Sequence, residues 1–298
     1  MAVTTGQQFD LREASGWRRA KNQLATAAMW FGFLCLLVPL GFVLVTVIAK
    51  GASAISWQFL TNSTIPPNIL PASVDGMGAA VVGTLEITGF AAVIAIPLGI
   101  LGAVYISEYG GNRPLAKVIS FMADVMTGVP SIVMGLFIFT VWVVELHQGY
   151  SGLAGSLALA CLMLPIVIRS SYEMLRLVPD ALRQGSYALG ATKARVTLTV
   201  VLPTAIGGIV SGALLAVARA AGETAPLLFT ILTVEATNPN LFSGADTALS
   251  TQIFVNATQP YTGAVDRAWG SALTLIAIAF ILMIVARLVT ARFNRYSR

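Results

Sequence analysis

Long apolar runs separated by short polar stretches dominate this chain. A helix that crosses a membrane needs about 20 mostly apolar residues. Six stretches meet that requirement: Leu24–Ile48, Ala79–Ile106, Val118–Val144, Leu153–Ile168, Ala205–Leu232 and Ala268–Val289. The first holds no charged residue. It is too long for a signal peptide and lacks a small-residue cleavage site. The fourth is the shortest and extends to about Met174. The fifth contains Arg219 and Glu223, which leaves its end the least sharply defined. No internal repeat and no low-complexity tract accompanies the six runs.

Composition agrees with the pattern. Only 10% of residues are charged, 56% are hydrophobic, and the mean hydropathy is +0.81. Soluble domains carry about 25% charged residues, and this chain has too little polar surface to cover itself in water. The expected fold is an all-α integral membrane protein with six transmembrane helices. The net charge of +5 fits basic cytoplasmic loops. Nucleic-acid binding is excluded, because no compact Lys/Arg cluster is interleaved with aromatics. Cys35 and Cys161 stand far apart in apolar runs and read as buried apolar thiols.

Cytoplasmic loops are enriched in Lys and Arg, which gives the orientation. One side receives Arg12, Arg18, Arg19 and Lys21 before the first span, and Arg113 and Lys117 after the second. It also receives Arg169, Arg176, Arg183, Lys193 and Arg195 around the fourth-to-fifth loop, then Arg287, Arg292, Arg295 and Arg298 at the carboxyl end. The other side has only Lys50 and Arg267. Both termini are therefore expected in the cytoplasm, as an even number of spans requires.

Pro97, Pro130, Pro165 and Pro226 fall within spans. Neighbouring helices can satisfy the carbonyls that proline frees, so these positions read either as fixed kinks or as hinges. Gly208 and Gly212 form a small-xxx-small pair that permits close helix approach. Two outer loops are long: Gly51–Gly78, with Pro66, Pro67 and Pro71, and Thr233–Arg267, with Glu235, Asp246 and Asp266. Asn62-Ser63-Thr64 matches a glycosylation sequon.

Enzyme chemistry is not visible. The single histidine, His147, lies at an outer helix end. No Cys/His/Asp cluster has metal-ligand spacing, and no phosphate-cradling G-x-x-x-x-G-K-[ST] loop occurs. An ATP-driven process would need the ATPase, with its ATP and Mg, on another chain; no cofactor is expected on this one. Glu86, Asp124, Arg219 and Glu223 are ionisable groups at membrane depth. Each such charge is costly in lipid, so it faces a partner or a pathway. Arg219 and Glu223 are four apart, on one helix face. They form either a neutralising pair or an oxyanion site, in which the arginine fork matches phosphate oxygens. Asp124 and Glu86 fit helix–helix hydrogen bonding and a pathway role equally.

The fourth-to-fifth loop reads Val178-Pro179-Asp180-Ala181-Leu182-Arg183-Gln184-Gly185-Ser186-Tyr187-Ala188-Leu189-Gly190-Ala191 and ends at Val200-Val201-Leu202-Pro203. Pro179 and Asp180 suit the first turn of a helix, and Gly190 suits a left-handed end to it. The sequence predicts a short helix lying on the membrane surface.

This loop resembles the coupling loop of ABC importer permeases, E-A-A-x-x-x-G-x(9)-I-x-L-P. Gly190 takes the place of the motif glycine, and Val200, Leu202 and Pro203 fall in register; Gln184-Gly185-Ser186 replaces E-A-A. Further segments are similar to the PstA-type permease family of phosphate ABC importers. They are Gly83-Thr84-Leu85, Ile96-Pro97-Leu98-Gly99, Tyr105-Ile106-Ser107-Glu108-Tyr109, Gly128-Val129-Pro130-Ser131 through Leu136, and Ala218-Arg219-Ala220-Ala221-Gly222-Glu223-Thr224-Ala225-Pro226. The resemblance implies a type I importer bundle. Its parts would be a cytoplasmic arm (1–23), a first span (24–50), a permease domain (76–290) with the coupling loop at 178–203, and a tail (291–298). It implies a plasma-membrane permease with a PstC-like permease as heterodimer partner, two PstB-like ATPase subunits bound below and a PstS-like phosphate-binding protein above. Arg183, Gln184, Gly185, Ser186, Leu189, Gly190 and Ala191 would contact an ATPase; Arg219, Glu223, Thr224 and Asp124 would line the phosphate route. A permease for another oxyanion, such as sulfate or molybdate, would keep the coupling loop. A stand-alone channel or carrier would lack it.

Overall fold

The computed structural model describes residues 16–63, 76–236 and 238–296. Thr64 of the sequon, Pro66, Pro67 and Pro71 of the first outer loop, and Arg12 and Arg298 lie outside the described residues. The described chain is helical, with no strand. It divides into two compact units, Met1–Ala49 and Lys50–Arg298.

The first unit is helix α1, Gly16–Gly51, which runs on into the start of the second. At about 1.5 Å per residue its 36 residues exceed the roughly 30 Å hydrocarbon core. The Thr26 and Thr46 hydroxyls donate to the carbonyls of Asn22 and Phe42, one turn back, which hides these polar groups within the helix. Cys35 is exposed rather than buried, and Cys161 of the second unit is only half-buried. An apolar run in a membrane helix turns to lipid as readily as to protein, so apolar surroundings in sequence do not imply burial.

The second unit contains α2 (Trp57–Thr61), α3 (Gly78–Val104), α4 (Pro114–Gly128), α5 (Ser131–Ile138), α6 (Gly152–Arg176), α7 (Asp180–Ala188), α8 (Lys193–Val196), α9 (Leu202–Ala221), α10 (Ala225–Thr230), α11 (Leu249–Ala257) and α12 (Thr262–Tyr296). Wider π-helical turns close α3 at Tyr105–Gly110, extend α5 through Phe139–Glu145, and join α8 to α9 at Thr197–Val201.

Helix α6 is the centre of the unit. Small residues let its neighbours approach closely. A Cβ on Gly99 of α3 would stand 2.6 Å from the Val167 side chain, and Cβ atoms on Gly208 and Gly212 of α9 would strike Met174 and Ser170. The small-xxx-small pair read in the sequence thus faces α6. Ile87, Ala91, Ala95, Leu159, Met163, Ala216 and Ala220 pack where α3, α6 and α9 meet. On the far side of α9, the Ser211 and Thr290 hydroxyls hold α12 at 2.6 Å.

Two expected spans are not continuous. The stretch Val118–Val144 is broken, with α4 and the α5 segment meeting at 108°. A residue before proline disfavours helical backbone, and Val129 is extended (φ −76°, ψ 128°) ahead of Pro130. The stretch Ala205–Leu232 ends as a helix at Ala221 and resumes at Ala225. Pro226 starts a helix there, because inside one its ring would clash with the carbonyl four residues back. Pro130 and Pro226 are therefore helix starts, whereas Pro97 and Pro165 stay inside α3 and α6.

The carboxyl ends of α3 and α6 lie together, because Glu108 pairs with Arg183 at 3.0 Å. Their amino ends also lie together, because Ser156 donates to the Ile87 carbonyl at 3.0 Å. The two helices run parallel, so the broken α4–α5 segment between them must carry the chain back across. Counted as one crossing, it completes six spans with the five long apolar helices.

The two long loops fold over one end of the bundle. Phe59 of α2 is fully buried, and its ring lies where a Cβ on Gly270 would be. The second long loop supplies α11, an element that the hydrophobic pattern did not predict. Its polar side chains turn inward: Gln252 donates to the Val234 carbonyl and to Thr247 Oγ1, each at 2.9 Å, and Arg267 Nε reaches Asn256 Oδ1.

Candidate permeation site and coupling helix

A cavity of about 220 Å³ opens where the two helix breaks meet. Met126, Thr127, Pro130 and Ser131 line it from the α4–α5 break, Pro165 from the kink of α6, and Arg219 and Glu223 from the end of α9. Helix α5 touches the start of α10 directly, since a Cβ on Gly135 would stand 2.4 Å from the Pro226 Cα. The cavity's volume is below the roughly 300–1,000 Å³ typical of pockets for drug-sized ligands.

Arg219 occupies the last turn of α9, and no hydrogen bond joins its side chain to another described residue. Its side chain is 70% exposed, and its Nε lies 3.8 Å from Glu223 Oε1, beyond hydrogen-bond distance. Glu223 follows the cap residue Gly222, so the pair straddles a helix end instead of sharing one regular helix face. The donor fork of Arg219 faces open space. The amino end of α5, with Ser131 as its first residue, borders the same cavity and adds partial positive charge. The carbonyl end of α4 borders it from the other side of the break.

Thr224 is the cap of α10, and its carbonyl receives the N–H groups of Leu227 and Leu228; it is half-buried beside the cavity. Asp124 does not line the cavity. It is paired with Arg169 of α6, whose guanidinium also donates to Ser120 O and Oγ at 2.9 and 3.0 Å. Arg169 therefore belongs to the bundle and not to the flank of the cytoplasmic loop. The α6 helix runs to Arg176, eight residues past Ile168, so Arg169 lies inside it. Glu86 is exposed on α3.

The surface helix forms as its sequence suggests. Pro179 caps α7, Asp180 fills its first turn, and Gly190 takes a left-handed φ of +80° just beyond it. Gln184, Gly185, Leu189 and Gly190 are exposed, and Ser186 and Ala191 are half-buried. Leu189, at 90% exposure, is a large apolar side chain without cover. Arg183 departs from expectation by turning inward. It donates to the carbonyls of Leu175 and Val178, to Asp180 at 3.1 Å and to Glu108 at 3.0 Å. Its fork closes the carboxyl end of α6 and is not available to another chain.

In the loop before α11, burial pushes the Asp246 carboxyl up from the usual carboxylate range; the Thr247 N–H opposes this and the nearby Glu86 charge adds to it. Among the described residues, no group of three or more His, Cys, Asp or Glu side chains could hold a metal ion.

A bundle of crossing helices, broken around a small cavity and carrying one exposed surface helix between spans, defines a membrane permease. The chain belongs to the family of binding-protein-dependent transport system inner membrane components, whose model matches residues 95–297. It is 41% identical over 276 residues to the phosphate transport system permease protein PstA 1 of Mycobacterium tuberculosis, covering 91% of this chain and 89% of that protein. It is 43% identical over 270 residues to PstA of Mycobacterium leprae (89% and 87% covered), and 39% identical over 290 residues to PstA of Yersinia pestis (94% of each). Among solved structures, a bacterial alginate ABC transporter in complex with alginate pentasaccharide-bound periplasmic protein matches with a TM-score of 0.65. That match has 15% identity and covers 93% of this chain and 97% of that one. The inward-facing MetNI methionine ABC transporter matches with a TM-score of 0.58 at 18% identity, covering 73% and 94%. These two likenesses concern the fold.

Proposed function

We propose that this chain is one transmembrane subunit of an ATP-driven phosphate importer. The observation that carries the reading is the Arg219 guanidinium, held only by a 3.8 Å ion pair with Glu223, beside a small cavity between two helix breaks. Broken helices whose amino ends point at an anion site are a recurrent device in transporters, and an arginine fork that makes no hydrogen bond to another described residue matches oxyanion geometry. The names of the PstA relatives narrow the oxyanion to phosphate. The exposed α7 is the surface on which a separate ATPase acts, and it lies in the cytoplasm, as the basic loops indicate. A second, PstC-like permease completes the pathway. Two PstB-like ATPase subunits supply ATP hydrolysis with its Mg, and a PstS-like binding protein delivers phosphate to the outer loops. The prolines at the breaks and kinks allow the cavity to open alternately to each side.

Reconstitution tests this reading. Liposomes containing this chain, the partner permease and the ATPase are expected to take up phosphate only with ATP and binding protein present, and excess sulfate is not expected to compete. Flux through this chain alone without ATP would replace the importer by a channel or carrier. Competition by sulfate would move the substrate to another oxyanion.

A further inference from the structure

Glu108 stands in the wide turns that close the inner end of α3. It is buried at 7% exposure, and its Oε1 accepts from Arg183 Nη2 at 3.0 Å and from the Ser107 hydroxyl at 3.1 Å. The same Arg183 holds Leu175 and Val178 of the α6 end and Asp180 of α7. On the other limb of the loop, the Lys193 ammonium lies 5.3 Å from the centre of the Tyr109 ring. Both limbs that carry α7 are thus fastened to the end of α3. Wide π-type turns within helices are frequent at functional positions, and here they bring the Glu108 carboxylate inward to Arg183.

The outer end of α3 is fastened too. Gly83 lets the Thr247 backbone come so close that a Cβ would stand 2.0 Å from the Thr247 carbonyl oxygen. The Thr84 hydroxyl accepts the Leu249 N–H at 2.8 Å, at the start of α11. In the next residue, Ser250 donates to the carbonyl of Glu223 at 2.9 Å. A continuous series of contacts therefore runs from α7 through Glu108, along α3, through Thr84 and Ser250, to the break that borders the cavity.

We infer that Glu108 is a positioning residue that passes displacement of α7 along α3 to the Gly222–Thr224 break. This rests on the importer reading. A packed helix moves as a rigid element, and a buried carboxylate–guanidinium contact fixes direction better than apolar packing because it is directional. Coupling of this kind needs an element with two arrangements that both ends can bias. In this proposal the short break between α9 and α10, held by Ser250, serves as that element.

The test uses the complete importer in liposomes and reads ATP hydrolysed per phosphate moved. Glu108→Ala is expected to leave the subunits co-purifying and hydrolysis running. The ATP consumed per phosphate should rise about tenfold, within the usual size of a coupling free energy. Glu108→Gln, which keeps an acceptor oxygen for Arg183, should recover most of the loss. Thr84→Val removes the outer tie and should give the same signature. The double variant Glu108→Ala/Thr84→Val should be no worse than the worse single one, because contacts in one series are not additive. An unchanged ATP-to-phosphate ratio in Glu108→Ala overturns the inference, whether or not the amount of complex falls. Multiplying losses in the double variant overturn it as well. Wild-type liposomes report separately on the importer reading, and each variant is normalised to them.

Discussion

Arg183 and Arg219 place the same guanidinium at two points of one bundle. Arg183 has 15% of its side chain exposed and donates to two carbonyls and two carboxylates. Arg219 has 70% exposed, with a carboxylate at 3.8 Å and no hydrogen bond to another described residue. The first is spent on holding α3, α6 and α7 together. The second is held open at the mouth of a broken helix, where an anion can complete it. An ionisable group in a membrane protein signals structure or transport according to whether its donors are satisfied, and sequence alone does not show which.

Removing each arginine separates the two roles. Arg219→Ala is expected to cut phosphate uptake on the order of a hundredfold, since each charged hydrogen bond contributes about 1.5–3 kcal/mol. Assembly and melting temperature should be unchanged, and Arg219→Lys should restore little, because lysine lacks the planar fork. Arg183→Ala should do the reverse. It leaves Glu108 buried with only the Ser107 hydroxyl, so thermal denaturation should show a loss of about 3–5 kcal/mol. Equal melting temperatures for the two variants would break the comparison. Gly135→Ala pushes a methyl into the Pro226 backbone and should lower stability by about 1–3 kcal/mol, with the loss of uptake following the loss of fold. The smallest effect belongs to Gly190→Ala. Nothing lies within 4 Å of its Cβ position, so only the left-handed backbone matters, costing about 1 kcal/mol and visible as faster amide exchange in α7.

Much of this molecule is legible in its sequence. Apolar runs mark the spans because lipid demands about 20 such residues, and the limits of α7 follow from Pro179, Asp180 and Gly190. The α4–α5 and α9–α10 breaks were visible only as prolines. Whether a membrane proline kinks a helix or starts a new one depends on tertiary neighbours, here Gly135 against Pro226. Helix α11 escaped because its inward residues, Gln252 and Asn256 among them, are polar, and the hydrophobic pattern registers only apolar faces. The local sequence leaves Asp124 open between helix pairing and a pathway role, and it does not show that Arg183 turns inward. Their partners, Arg169 and Glu108, are 45 and 75 residues away, beyond any local pattern. The side of Arg219 and Glu223 was read as a continuous helix face, which the Gly222 cap interrupts.

The central claim is that an oxyanion occupies the cavity beside Arg219. Its most direct measurement is the thiol labelling rate at Thr127→Cys in the complete importer, with Cys35 and Cys161 replaced by serine and alanine. Phosphate added during turnover should slow labelling at Thr127→Cys several-fold and leave the exposed Trp17→Cys of α1 unaffected, and Arg219→Ala should abolish that protection. Labelling of the cavity at one rate with and without phosphate would contradict the account.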